Sequence, residues 1–225
     1  MIYFPGCTAR LKLKKISQAT QAILDHAGFN YRVMEDENCC GSVLLRTGFR
    51  EDAREVMERT FKKLKGQKLL VSCAGCYRTF KEDYPEVLGE PLDVVHINQI
   101  LDELILDGKI QIEREDLKVT YHDPCHLGRH RGEYDAPRNI IKKRATLVEM
   151  DKNREEARCC GAGGGVKSAY PQLSEDMSLR RVDDALKTGA DVLVTSCPFC
   201  VWNLESEKLK VMDLTEFIRR GIIRG

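Results

Sequence analysis

Ten cysteines recur in three patterns. Single ones, Cys7 in "YFPGC" and Cys125 in "YHDPC", close short apolar runs. Adjacent pairs follow, Cys39 with Cys40 in "CCGS" and Cys159 with Cys160 in "CCGA". C-x-x-C pairs come last, Cys73 with Cys76 in "SCAGC" and Cys197 with Cys200 in "SCPFC". Thiols at these spacings ligate metals or clusters, or exchange disulfides. Structural bridges fit poorly, because a chain of 225 residues needs no staples to build a core and adjacent cysteines are awkward to pair. Each group of five exceeds the four ligands of a tetrahedral zinc site. Neighbouring thiolates suit adjacent irons of a larger cluster better than one ion, so the residues favour iron–sulfur ligation over zinc or a thiol-only redox site.

The patterns are one pattern written twice. Offsets of 118, 120 and 124 residues carry the first set onto the second, and all ten cysteines are used, five per half. Such self-similarity marks a duplicated unit of about 120 residues. The elements repeat as well. "MIYFPGC" and "LKVTYHDPC" read as strands ending at a cysteine, followed by helices over 14–28 and 135–145. Short strands at 31–34 and 147–150 lead through polar loops to the double cysteines. Amphipathic helices then span 50–65 and 171–188. "KLLVS" and "DVLVTS" read as buried strands whose C-x-x-C opens a helix, with Pro198 suited to a first turn. "DVVHI" and "KVMDL" are last strands, before helices at 98–107 and 214–220. Strands alternating with helices make an α/β fold, two tandem units with small parallel sheets covered by helices. The cysteine loops then fall at the carboxyl ends of the strands, where open α/β sheets bind ligands, and are expected to face each other. The seam lies near 108–116, dividing the chain into 1–112 and 113–225.

Composition narrows the remaining choices. Thirty-six basic against 35 acidic residues leave a net charge of +1, with no broad footprint for nucleic acid. The longest apolar runs fall far short of the roughly 18–20 residues of a membrane span. The amino terminus does not read as a secretory signal. A cytoplasmic protein without direct membrane insertion is the expectation. "CCGAGGGVK" lacks the spacing of a nucleotide loop; its glycines suit close passage of the backbone by a bulky group. Trp202 is expected in the core. Around Cys125, "YHDPCHLGRHR" offers His122, His126 and His130 as proton donors, with Arg129 and Arg131 for anionic groups. Arg10, Arg46 and Arg78 flank the first set.

The wording "YFPGCTA", "CCGSVLLRTG", "SCAGCYRTFKEDYP", "YHDPCHLGRH", "CCGAGGGVK" and "SCPFC" resembles the CCG domain of heterodisulfide reductase catalytic subunits and their relatives, over practically the whole chain. The resemblance implies Rossmann-like units, each with a noncubane [4Fe-4S] cluster on five cysteines. Cys7, Cys39, Cys40, Cys73 and Cys76 would hold one; Cys125, Cys159, Cys160, Cys197 and Cys200 the other. It implies two-electron reduction of a small-molecule disulfide, the family's being the mixed disulfide of coenzymes M and B. His126, His130 and Arg129 would then be the catalytic side chains. Two departures stand out. The gap between CC and C-x-x-C is 32 residues in the first half and 36 in the second, which keeps zinc open for the first site. The ferredoxin segment of larger relatives is missing, so electrons are expected from an iron–sulfur, flavoprotein or cytochrome b subunit, with peripheral membrane attachment through such a partner. The alternative role is a non-catalytic electron-transfer subunit serving an FAD-linked 2-hydroxyacid or glycerol-phosphate oxidoreductase.

Overall fold

The computed structural model describes residues 1–34 and 39–223. The polar loop expected before Cys39 falls on 35–38, outside the described residues. The first half runs β1 (Ile2–Phe4), α1 (Cys7–Leu11), α2 (Lys14–His26), β2 (Arg32–Val33), α3 (Ser42–Arg46), α4 (Arg50–Leu64), β3 (Lys68–Val71), α5 (Ala74–Arg78), a π turn (Thr79–Asp83), α6 (Tyr84–Leu88), β4 (Asp93–His96) and α7 (Ile97–Leu106). The second half repeats the plan: β5 (Lys118–His122), α8 (Gly128–Arg131), α9 (Asp135–Arg144), β6 (Thr146–Leu147), α10 (Val166–Ala169), α11 (Pro171–Leu186), β7 (Val192–Thr195), α12 (Pro198–Leu204), β8 (Lys210–Asp213) and α13 (Leu214–Arg219). The chain is α/β, with two four-stranded parallel sheets covered by helices. Their orders are β2-β1-β3-β4 and β6-β5-β7-β8.

Local sequence explains these elements. "LLV" and "VLVT" are buried throughout, as expected of parallel strands covered on both faces. The edge strands β2 and β6 are only two residues long, shorter than their apolar runs suggest. Helix α4 opens on Glu51 and Asp52 and closes on Lys62 and Lys63, matching the helix dipole. Pro171 and Pro198 begin α11 and α12, where the missing N–H costs nothing.

Strand order determines where ligands can sit. From β1 the chain crosses to β2 on one side, then returns to β3 on the other. The crevice at that reversal, beyond the ends of β1 and β3, is the switch point of the sheet. Cys7 follows β1 and Cys73 follows β3; Cys125 and Cys197 repeat this after β5 and β7.

The halves share their core. Tyr3, Leu70, Ile97 and Leu101 pack in one cluster with Tyr121, Ile140, Val194 and Phe217. Helix α2 lies against α13, and α7 against α9. At the seam the Asn98 amide donates to Ser196 Oγ at 3.0 Å, and Glu82 accepts from Arg78 at 2.7 Å and Arg131 at 2.9 Å.

One buried ion pair organises the second half's cysteine loops. Asp123, two residues before Cys125, accepts from Arg138 through both oxygens, at 2.7 and 3.0 Å. It also accepts from the backbone N–H of Arg154 at 2.8 Å, in the loop that leads to Cys159. Arg138 further donates to Glu149 at 2.7 Å. Both members of the Arg138–Asp123 pair are almost fully buried. Arg138→Met is expected to strand Asp123 as a buried charge and cost about 3–5 kcal/mol. Urea denaturation of the variant against the parent protein reads this directly, and a loss below about 1 kcal/mol is incompatible with the account.

Candidate metal centre

Ten free cysteines, five from each half, line a single cavity of about 490 Å³ between the two switch points. The two sets of cysteine loops therefore face each other. Cys40, Cys73 and Cys76 are buried, as are Cys160, Cys197 and Cys200; the other four are half-buried.

Within each set the sulfurs are close. Cys160 and Cys200 Sγ are 3.4 Å apart. Hydrogen bonds from Cys125 and then Cys160 hold Cys159 far below the usual thiol range, and its bond with Cys159 pushes Cys125 up. In the first half Cys40 is held down by Cys39 and Cys76, while Cys39 is pushed up to about 11 by Cys40. The sets also touch. Cys73 and Cys197 lie within hydrogen-bonding reach; Cys197 is held down by Cys200 and Cys73, and the contact pushes Cys73 up. Thiols near enough to share protons can give them up and bind a common metal group as thiolates.

The backbone serves the sulfurs symmetrically. Gly41 N–H donates to Cys39 Sγ and Gly161 N–H to Cys159 Sγ, each at 3.4 Å. Both glycines have φ of +87°, and a Cβ would come within 2.7 Å of Met57 Cγ at one and of Ser174 O at the other. Only glycine makes this turn without strain. A donor set of ten clustered thiols, with backbone N–H groups on two of them, fits soft iron–sulfur groups.

Of the candidate proton donors, His126 lines the cavity. It reaches across the seam: a Cβ built on Gly75 would lie 3.7 Å from its Nδ1 and 3.6 Å from Cys73 Sγ. Burial pushes His126 down to about 4, opposed by the Cys197 thiolate. His130 is exposed and stands edge-on to His126 at 5.4 Å, outside the lining. Arg129 is also outside it, donating to the carbonyls of Glu155 and Ala157 in the loop before Cys159. His122 is buried at the end of β5 and accepts at Nδ1 from Arg181 Nε at 3.0 Å. One of its ring nitrogens and the sulfurs of Cys160 and Cys200 lie within 4.8 Å of one another.

Arg46 lines the first half's side of the cavity, paired with Asp83 at 2.6 Å. Trp202 is half-buried and lines the cavity instead of joining the core. Lys12 sits 3.7 Å above its ring and Lys167 4.8 Å, with Lys167 also donating to Asn203 at 2.6 Å. Two lysines at one indole make a mouth suited to anions, and neither lysine carries a sequence signal that singles it out. Gly163, Gly164 and Gly165, from the run noted in the sequence, form part of the same lining.

A duplicated α/β protein with cysteine loops meeting across its two switch points is the class these features define. The model of the cysteine-rich domain (CCG) matches residues 1–81 and 119–205, and the chain belongs to that family. It is 45% identical over 216 residues to a subunit of the dihydromethanophenazine:CoB–CoM heterodisulfide reductase of Methanosarcina acetivorans, covering 91% of this chain and 53% of that one. It is 36% identical over 226 residues to a subunit of the fumarate reductase (CoM/CoB) of Methanothermobacter marburgensis, covering 96% and 45%. The chain thus spans about half the length of the curated relatives it matches. A crystal structure of a hypothetical protein from Helicobacter pylori shares the fold, with a TM-score of 0.62 at 10% identity over 98% of this chain and 48% of that one. Among the described residues, no helix is long and apolar enough to cross a membrane.

Proposed function

We propose that the chain is an iron–sulfur oxidoreductase subunit that reduces a small-molecule disulfide at two noncubane [4Fe-4S] clusters. Cys7, Cys39, Cys40, Cys73 and Cys76 hold one, and Cys125, Cys159, Cys160, Cys197 and Cys200 the other. The observation that carries this reading is the single cavity lined by both complete cysteine sets. Adjacent cysteines in each set support a cluster larger than a single ion. When bound, the clusters supply two electrons, one from each side, and iron positions open to sulfur. The protein's own groups do the rest. Lys12, Lys167 and Trp202 at the mouth, with Arg46 inside, orient a substrate that carries carboxylate, phosphate or sulfonate groups. His126 holds a proton where the cleaved sulfur takes up charge. The balance is one disulfide, two electrons and two protons giving two thiols. His130 and Arg129 then act behind His126, the first against its ring and the second by fixing the loop before Cys159. Electrons come from a partner protein carrying iron–sulfur, flavin or haem.

Protein purified without oxygen is expected to carry about eight irons and eight sulfides per chain, the sum of two [4Fe-4S] clusters. With reduced viologen as donor it should turn over low-molecular-weight anionic disulfides. One zinc with about four irons would place zinc in the first site and end the symmetric reading. Full iron without turnover of any disulfide would make the chain an electron relay.

A further inference from the structure

The two halves match closely around their sulfurs, but two matched pairs of positions differ in a way that bears on electrons. His122 closes β5 beside Thr195 of β7, and the offset of 118 residues puts Phe4 in its place in the first half. Phe4 packs edge-on against Phe80 at 5.0 Å. Arg181 lies on α11, and an offset of 121 puts Thr60 in its place on α4, since Ala53, Met57, Thr60 and Leu64 face inward as Ser174, Ser178, Arg181 and Ala185 do. The backbone agrees: Gly41 meets Ala53 O and Gly161 meets Ser174 O. A buried imidazole and guanidinium thus stand in one half where the other has a phenyl ring and a threonine.

The hydrogen bond between them fixes where the imidazole proton sits. Arg181 Nε can only donate, so His122 Nδ1 must accept and carries no proton. The proton of the neutral ring is on Nε2. That N–H is buried and has no partner among the described residues. One nitrogen of this ring lies within 4.8 Å of the sulfurs of Cys160 and Cys200. Ligation of a metal through Nε2 would require stripping that proton, so His122 is a donor toward the site and not a ligand. Arg181 is fully buried behind it. One of its terminal nitrogens donates to Lys152 O at 2.7 Å and lies 3.6 Å from Asp184, while the other has no partner among the described residues. The first half keeps a buried hydroxyl, Tyr84, but that group is neutral, and burial and the thiolate of Cys40 hold its proton on. At these two positions the second site therefore has a charge backed by a fixed donor, and the first has neither.

We propose that His122 and Arg181 set the two sites at different reduction potentials, with His122 Nε2–H bonded to sulfur in the second site. This rests on the cluster reading above. Hydrogen bonds to sulfur and buried positive charge favour the reduced, more negative cluster. An electron delivered to either site comes to rest on the second. His122 and Arg181 are positioning residues, since neither supplies a ligand.

The test is a redox titration of the loaded protein, followed by electron paramagnetic resonance, with iron assayed in each preparation. Two one-electron steps are expected, separated by at least about 59 mV, which is tenfold in the ratio of reduced to oxidised cluster. His122→Phe, which copies the first half, should lower the upper step toward the lower one at unchanged iron. His122→Gln keeps an oxygen to accept from Arg181 and an N–H for sulfur, and should restore most of the separation. An unmoved upper step in iron-replete His122→Phe overturns the proposal. If that variant loses iron, the parent protein decides. Labelled with 15N-histidine, it must show an exchangeable-proton and 15N coupling on one reduced cluster that persists in His126→Gln, and its absence overturns the proposal. Parent protein without iron would instead refute the cluster reading itself.

Discussion

Replacing Cys159 and Cys160 together by serine is expected to halve the iron of the anaerobic protein, from about eight atoms to about four, and to abolish disulfide turnover. The two residues supply adjacent sulfurs to one set, and Cys160 touches Cys200 at 3.4 Å while Cys159 accepts hydrogen bonds from Cys125 and Cys160. Serine is nearly isosteric, so the loop after Gly161 keeps its turn, but its hydroxyl is a poor ligand for soft metal groups. The first half brings its own five thiols from separate loops and should load independently. Turnover is lost completely because two electrons are needed and one site remains. Iron assay and activity from a single preparation check both parts. Unchanged iron would remove the pair from the ligand set.

His126→Ala should lower disulfide turnover about 10²-fold, the lower end for loss of a proton donor, with iron content intact. The ring belongs to the second half but rests against the Cys73 loop of the first, so it stands where both sets of sulfurs meet. Burial lowers its proton affinity and the Cys197 thiolate raises it, which ties its protonation to the charge of the site. His130→Ala should cost much less, since His130 is exposed and outside the cavity. Steady-state rates, with iron measured alongside, decide this. Equal losses in both variants would contradict a special role for His126, and parallel loss of iron and rate would mark it as structural.

Much of this architecture is legible without any coordinates. Cysteines that repeat at matched offsets after apolar runs announce the duplication, the parallel sheets and the convergence at the strand ends, because strand order leaves one crevice per sheet. What stays hidden depends on contacts between residues distant in sequence. Nothing near residue 126 in the sequence points to Gly75, and the pair meets only because the seam brings α8 close to the Cys73 loop. Trp202 reads as a core residue by type, but two lysines distant in sequence hold it at the cavity. Arg129 and His126 are both candidates in "CHLGRH", and the backbone carbonyls of Glu155 and Ala157 hold Arg129 outside the cavity. His122 reads first as a packed strand residue, and the bond from Arg181 decides its tautomer.

The helix contacts across the seam carry one further consequence. Helix α9 is the counterpart of α2, and α13 that of α7. Packing α2 on α13 and α9 on α7 is therefore the same contact made twice, as in a symmetric dimer where each copy gives and receives one patch. In a dimer of identical chains any substitution is copied into both sites, and histidine could not stand in one while phenylalanine stood in the other. Joining the two copies in one polypeptide keeps the symmetric seam and removes that restriction. The chain retains the packing of a homodimer with the freedom to differ at Phe4 and His122.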